Sequence, residues 1–399
     1  MHLSSLFLSL ATVAGGTSLG FSSPEEHNSQ VILFAGSFTR DEGWVNGTGA
    51  GIYTYKFNTN DGSLEAWAAT PFGDNPIYVV GSSKTFSNGQ RVVYVVNSVH
   101  QDSILYPGTK TGYVSALTLN SDGTLTLLNS LESRGEDPTH ISLSHYEDYV
   151  VVSNYRGSIA MFPLKDDGSL ASNSFFNDYL EGSGVVPDRQ DRGYIHSTTW
   201  LPYSDHVVAA NLGSDELLQF ELDKKNKSLT SFGAVRRPPG SGPRHMAIHP
   251  SGKFAYVVDE LSNTVGVYTI NLKTTLLESE ACQTISIIPE NYTNASTSAD
   301  IHFSKDGNFL YTSNRGHDSI AMFKVDESSG TLTLLGFEST RGKTPRGFTV
   351  YGDWLIVANQ NSNNMHVFKI NCETGLLEYT GNSYEIGTAV CLYVSRYYI

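Results

Sequence analysis

The chain has 399 residues, of which 39% are hydrophobic and 11% aromatic, enough to bury a large core. Its formal net charge of −14 argues against a nucleic-acid or anionic-membrane surface, because such proteins concentrate positive charge to displace counterions. A local cluster of arginines could still hold a small anion against that global sign.

From the N-terminus, residues 3–14 form an apolar run too short to span a bilayer, followed by Gly15, Gly16, Ser18 and Gly20. This reads as a signal peptide over residues 1–20, although its first residues offer His2 and neither Lys nor Arg. Residues 21–399 are then expected to form one domain. Four Asn-x-Ser/Thr sequons, at Asn46, Asn226, Asn291 and Asn294, fit a secreted glycoprotein. No other apolar run approaches the ~20 residues of a membrane helix, so no membrane insertion is expected. The three cysteines, Cys282, Cys372 and Cys391, make no disulfide framework and match no zinc spacing. They are expected to be small buried apolar side chains.

One pattern recurs after residue 30. An alternating strand carries an aromatic-x-apolar triplet, a polar turn with Gly follows, and then a short Leu-rich strand. Copies start at Gly51, Gly112, Gly157, Asp215, Asn263, Asp318 and Asn363, at intervals of 45 to 61 residues. Six copies are preceded by a strand closing on Asn or Asp, at Asn97, Asn154, Asn211, Asp259, Asn314 and Asn359. Another short strand precedes each of those. Seven copies of four strands predict an all-β, seven-bladed propeller of four-stranded antiparallel blades. The first copy has only three strands and the chain ends on an unpartnered one, Ala389 to Ser395. That last strand is expected to become the innermost strand of the first blade and close the ring, removing open edges. Two packed β domains would need a linker that the sequence lacks.

In a propeller the loops leading into the innermost strands and the turns leaving the second strands meet at the channel mouth. The stretch Gly242-Pro243-Arg244-His245 to Asp259-Glu260 reads as a hairpin that sets Arg244 beside Glu260. The innermost strands bring His140, His196, Arg244, His245, His302 and Arg346 to this face, and the turns bring Arg156, Glu260 and Arg315. The recurring Asn and Asp residues suit turn formation. Each histidine fits either a site or a satisfied structural role. Several arginines around one prominent carboxylate imply either an anionic ligand or ion pairs with neighbouring blades. His245 and His249 share a strand face but lie ~13 Å apart, so they form no chelate. No metal site, phosphate loop or nucleophile elbow is present in the sequence.

Gly242-Pro-Arg-His-Met-Ala-Ile-His-Pro250, Ile288-Pro-Glu-Asn-Tyr292, Ala299-Asp-Ile-His302, Ser313-Asn-Arg-Gly316 and Pro345-Arg-Gly-Phe348 resemble the seven-bladed propeller lactonases. That family includes bacterial-type 6-phosphogluconolactonases and fungal 3-carboxy-cis,cis-muconate lactonizing enzymes. The resemblance to the muconate enzymes implies a catalytic set of His196, Arg244, Glu260 and Arg315. The intervening loops look more like the phosphogluconolactonase branch.

The expectation is a secreted enzyme that opens or forms the ester ring of a sugar-acid or carboxylated lactone without metal or organic cofactor. A secreted enzyme would not ordinarily meet a cytosolic sugar phosphate. Arg244 and Arg315 would hold a carboxylate or an oxyanion, and His196 or Glu260 would move the proton. His140, Arg156, His245, His302 and Arg346 would bind substrate, and loops 98–112 and 181–195 would set specificity. The alternative is a secreted glycoprotein that binds an acidic ligand or a partner protein without turnover.

Overall fold

The computed structural model describes residues 29–100 and 107–398. The expected signal peptide and the middle of loop 98–112 lie outside those residues. The described chain forms seven four-stranded antiparallel sheets, each one blade. Six blades are built in sequence order, and their innermost strands are Pro76–Gly81, Pro138–Leu143, Ile195–Trp200, Pro243–Ile248, Thr297–Phe303 and Pro345–Tyr351. The remaining blade takes its innermost strand from Ala389–Tyr398, paired antiparallel with Ser29–Ser37 over the length of both. The C-terminal strand therefore closes the ring as the repeat requires.

Each second strand is packed on both faces by adjoining blades, which is why Val92–Asn97, Phe254–Asp259 and Trp354–Asn359 are buried at every residue. Their continuous apolar sequence, unlike the alternation of the outer strands, reflects that two-sided burial. Tyrosines in these strands tie successive blades together. Tyr94 Oη donates to the Gly168 carbonyl at 2.8 Å and Tyr311 Oη to that of Gly375 at 2.9 Å. The accepting turn must pass close to an aromatic ring. A Cβ on Gly375, whose φ is 73°, would lie 2.2 Å from Phe309, so only glycine fits there.

The recurrence of the asparagines that end the second strands suggests bonds to nearby backbone in their own turns, but they hold an incoming loop instead. Asn97, Asn154 and Asn359 donate to the carbonyls of Phe72, Ser133 and Thr340, which pins the loop arriving from the preceding blade. Asp259 occupies the same place in the fifth blade. There a buried Arg237 replaces the carbonyl, its Nε donating to Asp259 Oδ1 at 3.0 Å.

The cysteine expectation needs correcting. Cys391 is buried, but Cys282 and Cys372 are exposed, and all three are free thiols. Cys282 just precedes a short outermost strand, Gln283–Ser286, and Cys372 follows the strand Asn364–Ile370. Neither position reaches the packed layer between blades.

Candidate active site

All seven innermost strands carry a β-bulge close to where they begin. The residues left without a ladder partner are Ile77, Thr139, His196, Arg244, the pair Ala299 and Asp300, Arg346 and Val390. A bulge re-aims the side chain it inserts. Here the seven bulges make a ring around one end of the channel, so the chemistry of the site is set by which residue falls on each.

A cavity of about 420 Å³ opens at this end, and His196, Glu260, Arg315 and Arg346 are on its wall together with Arg189 and Tyr155. Glu260 is 4% exposed and is the hub. Its Oε1 receives Arg189, and its Oε2 lies 3.1 Å from Arg244 Nε and 3.0 Å from Arg315 Nη2. Arg244 and Glu260 are thus side by side, as the hairpin predicts. Burial alone would raise the Glu260 pKa, but the charges of Arg315, Arg189 and Arg244 together carry it well below the carboxylate range. Glu260 is therefore ionised at any physiological pH.

Four guanidiniums face this one carboxylate. Arg346 has neither carboxylate nor carbonyl partner among the described residues, and rests against Trp44 and Phe38 at 5.3 and 5.8 Å from their ring centres. Withdrawal from water and the charges of Arg315 and Arg244 push its pKa down to about 9. Arg315 Nε is buried without an acceptor among the described residues. The arginines thus make more positive charge than Glu260 neutralises, in a protein whose net charge is strongly negative. The apolar part of the cavity lining is made by Phe38, Trp44 and Ile77.

His196 is 3% exposed, with Nε2 3.9 Å from Glu260 Oε2 and Nδ1 without a partner among the described residues. Burial, then the charge of Arg244, holds its pKa well below the usual value. It is a neutral imidazole beside a fixed carboxylate.

The other expected residues divide by depth. Arg244 is 2% exposed and sits one layer behind the cavity wall, supporting Glu260. Arg156 is on the wall, with its Nε on Asp137 Oδ2 at 3.2 Å. His140 and His245 fall one residue past the bulge and off the wall, in a buried cluster with Tyr78, the rings of Tyr78 and His140 lying 4.3 Å apart. His302 is also off the wall, with Nε2 3.2 Å from Asp300 Oδ2. The asparagines of all four sequons are exposed.

Sequence reasoning missed Arg189, Tyr155, Asp300 and the Trp44 wall. Aligning Pro76-Ile-Tyr, Pro138-Thr-His, Pro243-Arg-His and Pro345-Arg-Gly would have placed Thr139, not His140, beside Arg244. No such signal marks Arg189, which comes from an irregular loop 71 residues from Glu260 in sequence. Among the described residues no three His, Cys, Asp or Glu side chains are grouped to hold a metal ion, and no helix is long and apolar enough to cross a membrane.

Residues 32–394 match the family model described as lactonase, 7-bladed beta-propeller. The chain is 35% identical to the 6-phosphogluconolactonase of Formosa agariphila over 359 residues, covering 87% of this chain and 94% of that protein. It is 33% identical to the 6-phosphogluconolactonase of Bacillus subtilis over 372 residues, covering 91% and 98%. The solved structure of a periplasmic gluconolactonase from Pseudomonas aeruginosa superimposes with a TM-score of 0.81 at 29% identity, covering 91% and 98%. With its seven closed blades and this extent of match, the chain belongs to the seven-bladed β-propeller lactonase family.

Proposed function

We propose that this chain hydrolyses the ring ester of a sugar-acid lactone in the channel-mouth cavity, and that it does so outside the cytoplasm. The observation that carries the reading is the set of four guanidiniums around a single ionised carboxylate with a neutral imidazole beside it. Water attack on the lactone carbonyl develops an oxyanion, which a preorganised cation in a water-poor site stabilises. Arg315 and Arg346 are on the wall for that task. Neutral His196 takes the proton from the attacking water and returns it to the ring oxygen as the C–O bond breaks. The ring opens to a hydroxy acid, whose new carboxylate matches the surplus positive charge.

Glu260 cannot donate a proton, because three arginines keep it ionised. It fixes Arg189, Arg244 and Arg315 in one arrangement. The aromatic rings of Trp44 and Phe38 on the cavity wall, set edge to face, suit the less polar parts of a sugar ring. The apolar N-terminal run, the exposed sequons and the likeness to a periplasmic gluconolactonase support an extracytoplasmic site of action.

The test is titrimetric acid release by the purified protein on glucono-1,5-lactone, its 6-phosphate and a carboxymuconolactone. Turnover above the spontaneous rate is expected, with kcat lowered about a hundredfold in both His196→Asn and Arg315→Gln. A folded wild-type protein that releases no acid from any of the three would overturn the hydrolase reading. It would leave ring closure or binding of an acidic ligand without turnover.

A further inference from the structure

His245 has both ring nitrogens engaged, and the partners dictate its protonation. Its Nε2 lies 3.2 Å from Arg244 Nη1, and its Nδ1 lies 2.9 Å from Asp300 Oδ1. A guanidinium nitrogen only donates. Nε2 must therefore present its lone pair, and Nδ1 carries the proton that Asp300 accepts. Asp300 is itself held from three blades. Its Oδ1 accepts from Ile301 N at 3.0 Å in its own strand, and its Oδ2 accepts from Phe348 N at 3.2 Å in the next blade. His245 comes from the blade before. Asp300 is also one of the bulge residues, which is what turns its carboxylate toward the axis.

Arg244 is the element in need of holding. Its Nε donates to Glu260, and its Nη1 donates to the Ala299 carbonyl as well as to His245. It sits among like charges from Arg315 and Arg346, which repel it. Ala299 and Asp300 are the two residues of one bulge, so the same irregularity supplies both a direct acceptor for Arg244 and the anchor of its second acceptor. The result is a hydrogen-bonded line, Asp300 to His245 to Arg244 to Glu260, that ends on the cavity wall.

We propose that Asp300 and His245 are positioning residues, which fix the plane of the Arg244 guanidinium and through it the orientation of Glu260 for lactone opening. The proposal rests on the hydrolase reading for its kinetic consequence. Neither residue is on the cavity wall. A small error in aim is enough to matter, since a misplacement of about 1 Å in a catalytic arrangement can lower a rate about a hundredfold.

The experiment compares His245→Phe with His245→Gln in the full chain. Phenylalanine fills the space and removes the acceptor. A glutamine amide offers an oxygen to Arg244 and an N–H to Asp300, so it can rebuild the line. On glucono-1,5-lactone the expected results are a kcat lowered about ten- to a hundredfold in His245→Phe with KM within about twofold, and recovery to within about threefold of wild type in His245→Gln. The second readout needs no turnover. In ¹⁵N spectra of protein labelled at histidine and arginine, wild-type His245 should be the Nδ1-protonated tautomer, and the Arg244 Nε–H should exchange with water faster in His245→Phe than in wild type. Equal kcat in the phenylalanine and wild-type proteins, a glutamine variant as impaired as the phenylalanine one, or an Nε2-protonated His245 would each overturn the proposal. If wild type opens no lactone, the hydrolase reading fails by itself, and the tautomer and exchange rates still decide whether the line of hydrogen bonds exists.

Discussion

Buried histidines dominate the titration of this protein at mildly acidic pH. Burial, followed by the charge of Arg244, pushes His245 down to about 4, and burial likewise lowers His140, His196, His249, His317 and His366. A histidine whose folded pKa is depressed contributes its stability above its unfolded value of about 6.5 and loses it as the pH falls toward the folded value. His245 alone accounts for roughly 3 kcal/mol on that basis. His100, raised by its hydrogen bond to Asp137, works in the other direction, but it is one residue. Glu260 and Asp300 are depressed carboxylates, so their contribution starts to fall only below the unfolded carboxylate range, near pH 4. The melting temperature is therefore expected to fall steadily between pH 6.5 and 4.5. His245→Gln should reduce that slope, and a flat profile over this window would contradict the assignment of neutral buried histidines. Residue identity at the site was legible where a side chain falls on a bulge in a recognisable motif, as with His196, Arg244 and Arg346. It was illegible at Asp300, because the neighbouring His302 of Ala-Asp-Ile-His drew the functional reading that belongs to the aspartate.

The elements that carry the site differ in how strongly the sequence specifies them. The innermost strands and their neighbours repeat seven times with matched turns, so their pairing could be read directly, and Arg244 and Glu260 followed from one hairpin. The bulges could not be read from periodicity, since one extra residue in a six-residue strand does not disturb the apolar count. The loop over residues 182–193 is different again. It has no repeat counterpart, yet it plants Arg189 on Glu260 through a buried anchor, Gln190. The Gln190 amide donates to the Leu212 carbonyl at 2.9 Å and to Asp215 Oδ1 at 2.8 Å, and its oxygen accepts from Val186 N. Gln190→Ala removes all three bonds while leaving Arg189 in the chain. Its KM for an anionic lactone is expected to rise about tenfold, the worth of one or two hydrogen bonds, with kcat within about twofold of wild type. An unchanged KM in steady-state assays would show that Glu260 alone is enough to hold Arg189.

At the scale of the whole molecule, stability is distributed around a ring whose only sequence-distant seam among the described residues is in the first blade. Ser29 faces Tyr398 and Ala35 faces Leu392 across that seam. The strand Ser29–Ser37 is buried along most of its length by this pairing. A chain ending at Thr388 would leave its hydrogen-bonding edge bare and Val390 missing from the ring of bulges. Such a truncation is expected to abolish the cooperative thermal transition and to elute as aggregate in size-exclusion chromatography. A truncated protein that melted within a few degrees of the full chain would show that six complete blades suffice. The seam also orders events in time. Because the strand that completes the first blade follows every other described strand in sequence, three strands of that blade must wait through the synthesis of the other six, and the propeller remains an open arc until residues 389–398 have emerged from the ribosome.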